Sequence, residues 1–237
     1  MDFAGKNILV VGLGQSGAAA ARWLARQGAH VTVSEKRHES DLDRSVITEL
    51  SDAGIHLECG GHRMETFTGS GLIVISPGVP LDIQPLMAAR KKGVPSTGEI
   101  ELAGRYLKTR AVAVTGTNGK STVAKLIGDM LHQGGSSVFV GGNYGPPLAE
   151  YVGGNQWADY AVLELSSFQL DTIETFSPLV ALILNVSPDH LDRYKDYAAY
   201  ARSKQRIFAN QGKGQILILN DDDPWLRGLK PKNGPAV

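Results

Sequence analysis

The stretch "AVAVTGTNGKSTVAKLIGDML", Ala111 to Leu131, decides the fold. Four β-compatible apolar residues lead through a small-residue turn into Gly-Lys-Ser-Thr and then a helical pattern. In that strand–loop–helix order, backbone amides and a lysine can cradle phosphates. The usual G-x-x-x-x-G-K-[ST] spacing would place a glycine where Val114 stands, so this loop is a shorter version. The amides around Gly116–Gly119 can form an anion nest, Lys120 can reach terminal phosphates, and the Ser121 hydroxyl can bind Mg²⁺. A chance Gly-Lys-Ser-Thr in a turn is the plain alternative, but its place between a strand and an amphipathic helix favours a nucleotide. In that helix Val123, Ile127, Met130 and Leu131 form one apolar stripe, with Lys125 and Asp129 outward.

Runs of Val, Ile and Leu alternate with helical patterns on both sides of this stretch. Parallel sheets covered by helices follow, an α/β protein. After the loop, "SSVFVGG" (136–142), "ADYAVLELSS" (158–167), "PLVALILNVS" (178–187) and "GQILILND" (214–221) read as strands. Before it, "KNILVVG" (6–12), "AHVTVSE" (29–35) and "GLIVISPG" (71–78) do, with a helix from about Ser16 to Gln27 closed by Gly28. Turn signals in "KKGVPSTGEIELAGRYLKTR" (91–110) put a domain boundary there, giving units 1–98 and 99–237. The final "KPKNGPAV" reads as loop with no closing helix, so the second domain is expected to be incomplete.

A chain of 237 residues fits one or two domains. Lys plus Arg, 24, equals Asp plus Glu, 24, which removes any global electrostatic case for nucleic acid or an anionic membrane. The lone Cys59 excludes an internal disulfide framework and suits a reducing compartment. No signal segment opens the chain, and its longest apolar stretch is far short of the ~18 residues a membrane span needs. A cytoplasmic monomer is the expectation.

Gly12-x-Gly14-x-x-Gly17 follows a strand and opens a helix, and Glu35 ends the next strand, as a dinucleotide fingerprint requires. An NAD-dependent oxidoreductase is the obvious reading. A tight turn that binds nothing is the bland one, and some diphosphate ligand is favoured over it. Lys36 and Arg37, directly after Glu35, would suit a phosphate or carboxylate as well as a ribose.

The second unit offers further chemistry at its strand ends. Glu164 closes an apolar strand beside Ser166, Ser167 and Gln169, where an α/β nucleotide site puts a metal ligand; a solvated strand-end charge is the alternative. Asp189, His190 and Asp192 follow the next strand. Along a helix from about Asp196 to Asn210, Tyr197, Tyr200, Ala201, Ile207 and Phe208 share a stripe that includes Lys204. A lysine facing the core would lose solvation and become a neutral amine, whereas by periodicity alone it would snorkel to water.

Taken together, "VTGTNGKST", "GGNYG", "LELSSFQL", "LNVSPDHLDRY" and "SKQRIF" resemble the Mur ligases of peptidoglycan synthesis, in that family's order and over essentially the whole chain. The family's loop is a G-x-x-G-K-[ST] variant. The resemblance implies a Rossmann-like N-terminal domain for the UDP of the sugar substrate, then a P-loop-type ATP-binding domain with a mostly parallel sheet. It further implies ATP-dependent addition of D-glutamate to UDP-N-acetylmuramoyl-L-alanine through an acyl phosphate. By the same resemblance, Gly116, Thr117, Asn118, Gly119, Lys120, Ser121 and Thr122 hold ATP, with Lys120 and the Thr117–Gly119 amides on its phosphates. Ser121 and Glu164 match ligands of a first Mg²⁺, and His190 with a carbamylated Lys204 those of a second metal. Asn143, Ser166 and Gln169 match contacts to the muramoyl-alanine part. Gly14, Gln15, Ser16, Lys36, Arg37 and Gly78 match the UDP pocket, although Lys36 stands where threonine is common. A third, C-terminal domain of the family is absent from this sequence, so the chain is not expected to complete ligation alone. A non-catalytic nucleotide-binding module is a remaining alternative.

Overall fold

Short runs of branched apolar residues become the strands of two separate sheets in the computed structural model, which describes residues 2–189, 193–229, 231 and 236. The chain divides into the units Met1–Leu102 and Ala103–Val237.

The first unit alternates β1 (Asn7–Val11), α1 (Gln15–Arg26), β2 (His30–Ser34), α2 (Arg44–Asp52), β3 (His56–Glu58), α3 (Met64–Gly69), β4 (Leu72–Ile75), α4 (Gln84–Lys91) and β5 (Ser96–Gly98). Its strands are all parallel in the order β3-β2-β1-β4-β5. Strand order reverses at β1, so the crevice beyond the carboxyl ends of β1 and β4 is the topological switch point where such sheets bind ligands. Four consecutive alanines, Ala18–Ala21, are buried on α1 and let the helix lie close to the sheet. Gly28, at φ +82°, turns the chain out of the helix one residue after its cap at Gln27. On the sheet, Leu9, Val11, Ile73 and Ile75 pack with Phe67, Leu86 and Ala89, all essentially without solvent exposure. Each such large side chain contributes roughly 1.5–3 kcal/mol by burial.

α5 (Glu99–Gly104) runs across the division between the units. The second unit then holds β6 (Arg110–Thr115), α6 (Lys120–Gln133), β7 (Val138–Gly142), α7 (Leu148–Val152), β8 (Tyr160–Glu164), α8 (Ser167–Leu170), β9 (Val180–Ile183), α9 (Tyr197–Gln205) and β10 (Ile216–Leu219). These strands are also all parallel, in the order β10-β9-β6-β8-β7. Helix α6 lies on Val112, Val114 and Val162 through Ala124, Val123, Ile127 and Leu131. Gly128 makes this approach possible, since a Cβ there would sit 2.6 Å from Val140 Cγ2.

Three sequence expectations are corrected here. Met130 is 63 % exposed rather than on the packing stripe, because the buried face of α6 centres on Ala124 and Gly128 and position 130, at 100° per residue, turns well away from both. The strand expected over 178–187 ends at Ile183, where the backbone leaves β pairing. The helix expected to reach Asn210 ends at Gln205 and tightens into a 3-10 turn, Arg206–Phe208.

Candidate active site

Because every strand of the second sheet runs the same way, the loops after β6, β7, β8 and β9 all leave from one edge. Register puts Glu164, the last residue of β8, between Val114 of β6 and Gly142 of β7. The loop after β6 turns through Gly116 and Gly119, and Gly119, at φ +79°, is the N-cap of α6. The first hydrogen bond of the helix runs from Val123 N to Gly119 O, so the amides from Gly119 to Thr122 precede it and are available to an anion. The amides of Thr117 and Asn118 are committed differently from the sequence reading: both donate to Asn185 Oδ1, at 3.1 and 2.9 Å. Lys120 folds back over the loop, its Nζ donating to Thr117 O at 2.8 Å.

The first helical turn meets the carboxylate directly. Ser121 Oγ donates to Glu164 Oε2 at 2.6 Å, and Asn143 Nδ2 donates to Glu164 Oε1 at 2.8 Å. Glu164 is 2 % exposed, which rules out a solvated strand-end charge. Two hard oxygen donors side by side at a phosphate loop suit Mg²⁺. Just past the end of β8, Ser166 and Gln169 form a capping box around α8: Ser166 Oγ accepts from Gln169 N at 3.3 Å while Gln169 Oε1 accepts from Ser166 N at 3.0 Å. Gln169 is buried, and its Nε2 has no hydrogen-bond partner among the described residues. A buried amide donor so placed suits an oxygen-rich ligand.

Lys204 is likewise 2 % exposed, so it does not snorkel. Its Nζ donates to Gly116 O at 2.7 Å and lies 4.5 Å from the Tyr200 ring centroid. The hydroxyl of Tyr200 is 3.1 Å from Thr117 Oγ1. Burial first, then the positive charge of Lys120, lower the Lys204 pKa to about 7, with Asp189 pulling the other way. His190 and Asp192 lie outside the described residues. The structure therefore brings Lys120, Ser121, Asn143, Glu164 and Lys204 to one edge of one sheet. Sequence reasoning missed Asn185, whose only signal was a carboxamide just past an apolar strand beside the phosphate loop.

In the first unit, the glycine turn is built for close approach. A Cβ at Gly17 would fall 2.0 Å from Gly12 O and 2.6 Å from Ser76 Oγ, whereas one at Gly14 would meet nothing within 4 Å. The amides of Gln15, Ser16 and Gly17 precede the first α1 hydrogen bond, from Ala18 N to Gly14 O. Glu35 does not present a free carboxylate to a ribose. Its Oε2 accepts from Leu13 N at 2.6 Å, and its Oε1 accepts from Arg37 N and Nε, each at 3.0 Å. Arg37 Nη2 closes the ring on Leu13 O at 2.9 Å. Burial tends to raise the Glu35 pKa, but the hydrogen bonds from Arg37 and Leu13 and the Arg37 charge outweigh it and bring it down to about 2. The oxidoreductase reading loses its key acid. Gln15, Lys36 and Gly78 are exposed at this edge.

Two parallel α/β units, the second with a phosphate loop facing a buried carboxylate, define a nucleotide-dependent class of protein. Comparison with known families narrows it. Residues 114–236 match the Mur ligase middle domain, and residues 6–98 match the Mur ligase MurD-like N-terminal domain. The chain belongs to the Mur ligase family. It is 51 % identical over 229 residues to a UDP-N-acetylmuramoylalanine–D-glutamate ligase of Desulfatibacillum aliphaticivorans, covering 97 % of this chain and 51 % of that protein. A protein of the same name from Koribacter versatilis is 50 % identical over 94 % of this chain and 49 % of its own length. The chain thus spans about half the length of the curated relatives it matches. Among solved structures, a UDP-N-acetylmuramate:L-alanyl-gamma-D-glutamyl-meso-diaminopimelate ligase from Neisseria meningitides shares the fold, with TM-score 0.63 and 18 % identity over 94 % of this chain and 74 % of that one.

Proposed function

We propose that this chain binds UDP-N-acetylmuramoyl-L-alanine in its first unit, 1–98, and ATP in its second, 99–237, and serves the ATP-dependent joining of D-glutamate to that substrate. The observation that carries the reading is the Ser121–Glu164–Asn143 cluster beneath the α6 N-terminus, in a chain half-identical to proteins named for this reaction. A carboxylate does not react directly with an amine, because it repels nucleophiles and oxide is a poor leaving group. In the proposed sequence the alanyl carboxylate attacks the γ-phosphorus of ATP in line. A carboxylate-oxygen-to-phosphorus bond forms, the bond to the β-phosphate oxygen breaks, and ADP leaves. The amine of D-glutamate then attacks the acyl carbon, inorganic phosphate departs and the amine gives up a proton.

The chain's own residues act mainly through charge and position. Lys120 swings from Thr117 O to the terminal phosphates, and the Gly119–Thr122 amides hold phosphate oxygens at the helix N-terminus. Gln169 Nε2 and Asn143, beside Ser166, orient the muramoyl-alanine arm. Gly14, Gln15 and Ser16 hold the diphosphate of the UDP group, where Gly14 leaves room for backbone approach; Lys36, Arg37 and Gly78 complete that pocket. Ser121 and Glu164 would hold Mg²⁺, which when bound neutralises triphosphate charge. A second ion would take His190 and Lys204, the latter once its neutral amine has added to CO₂ and lost a proton to become a carbamate. The nucleotide substrates and the free thiol of Cys59 support a cytoplasmic setting. No described helix is long and apolar enough to cross a membrane.

The test is ligand binding measured separately for ATP–Mg²⁺ and for UDP-N-acetylmuramoyl-L-alanine. Both should stabilise the chain, and Lys120→Ala should lose the first response while keeping the second. Protection by NADH but not by the UDP-sugar would overturn the proposal, as would ATP stabilisation that survives Lys120→Ala.

A further inference from the structure

The segment that follows β9 runs along the phosphate loop as a rail. Leu184 N donates to Thr115 O at 3.0 Å and Ser187 N to Thr117 Oγ1 at 3.0 Å. The rail is itself anchored, with Val186 N donating to the buried Asp223 at 2.7 Å and Asn220 Nδ2 to Leu184 O at 3.1 Å. It lies so near that a Cβ on Gly116 would be 3.1 Å from Leu184 Cβ. From this rail one side chain reaches into the loop. Asn185 Oδ1 accepts from both Thr117 N and Asn118 N, at 3.1 and 2.9 Å, and its Nδ2 donates back to Asn118 O at 3.0 Å. Its main-chain carbonyl accepts from Thr117 N as well, at 3.0 Å. A carboxamide carries acceptor and donor in one plane, so it holds three successive peptides of the loop, through the amides of Thr117 and Asn118 and the carbonyl of Asn118.

We propose that Asn185 is a positioning residue of the nucleotide site, closing the short phosphate loop from outside so that the Gly119 turn and the amides behind it point at the triphosphate. The inference rests on the ATP reading given above. The loop here is two residues shorter than the G-x-x-x-x-G-K-[ST] version and has Val114 in place of the early glycine. It therefore cannot wrap on itself with residues of its own, and the neighbouring strand supplies the missing closure. Asn185 consequently contacts no phosphate. It acts through Gly119, held at φ +79°, and through the first turn of α6.

The test uses wild-type chain, Asn185→Ala and Asn185→Asp, with ATP–Mg²⁺, adenosine and UDP-N-acetylmuramoyl-L-alanine as separate probes. Asn185→Ala should weaken ATP–Mg²⁺ binding by about tenfold, the effect of removing a half-buried side chain that makes three hydrogen bonds to the loop, with adenosine and UDP-sugar affinities unchanged. Asn185→Asp keeps both acceptors for the Thr117 and Asn118 amides but loses the donor to Asn118 O and adds a negative charge. It should melt at the wild-type temperature and bind ATP–Mg²⁺ more weakly still, with a loss that shrinks as salt is raised. Wild-type or tighter ATP affinity in Asn185→Ala would overturn the inference, making Oδ1 a stand-in that a phosphate oxygen displaces. Equal losses for adenosine and ATP would also overturn it, by reducing Asn185 to general support. Absence of ATP binding in the wild-type chain would instead remove the nucleotide reading, and this inference with it.

Discussion

Glu35→Gln isolates the electrostatic clamp beneath the first glycine turn. In the folded chain the Glu35 pKa lies at about 2, against an ordinary value of 4.5. The depressed group contributes stability that is fully present above about pH 4.5 and is lost as pH falls towards about 2. That gap corresponds to about 3 kcal/mol at neutral pH. The Arg37 side chain is 45 % exposed, so solvent screening trims the figure and about 2 kcal/mol is expected. The assay is urea unfolding of wild type and Glu35→Gln at neutral pH and at intervals down to about pH 2, read by Trp23. That tryptophan is 3 % exposed and lies in the first unit, so with Trp157 and Trp225 of the second unit replaced by Phe in both proteins the fluorescence follows the affected half. At neutral pH the variant should be less stable by about 2 kcal/mol, and the two curves should converge at the acid end. Parallel curves across that interval, or a neutral-pH difference below about 0.5 kcal/mol, would refute the reasoning.

Gly17→Ala should destabilise the first unit by about 3 kcal/mol or more and abolish UDP-sugar binding, because the new Cβ would lie 2.0 Å from Gly12 O; near-native unfolding of the variant would contradict the packing described. For Lys204, whose pKa is about 7, the neutral amine predominates above that pH. With ¹³C-labelled bicarbonate, a carbamate signal should therefore appear in the carbon NMR spectrum on the alkaline side, fade on acidification below about pH 7, and be missing in Lys204→Gln. A signal that persists in Lys204→Gln would assign the modification elsewhere.

The second sheet was legible in the sequence because β6 to β10 are runs of Val, Ile, Leu, Ala and Phe long enough to stand out. β3 (His56–Glu58) and β5 (Ser96–Gly98) were not, since three residues, with no large apolar side chain in Ser96-Thr97-Gly98, carry no periodic signal and owe their state to the strand beside them. At the site, Ser121 and Glu164 were readable from their places at a helix start and a strand end, and they meet at 2.6 Å. Lys204 was placed on the correct face by periodicity, yet its burial depends on a carbonyl from Gly116, 88 residues earlier, which no local pattern contains. Glu35 shows the opposite limit. Its position fitted a fingerprint, but its partners, Leu13 and Arg37, give it a different task.

The one-way run of the second sheet has a practical corollary for anyone handling this protein. The loops after β6, β7, β8 and β9 occupy a single rim, while the Gly212–Gly214 turn precedes β10 on the reverse side, and a Cβ at Gly212, whose φ is not positive, would meet nothing within 4 Å. Fluorophores, affinity handles or surface tethers belong there, where they can report on ligand capture without obstructing it.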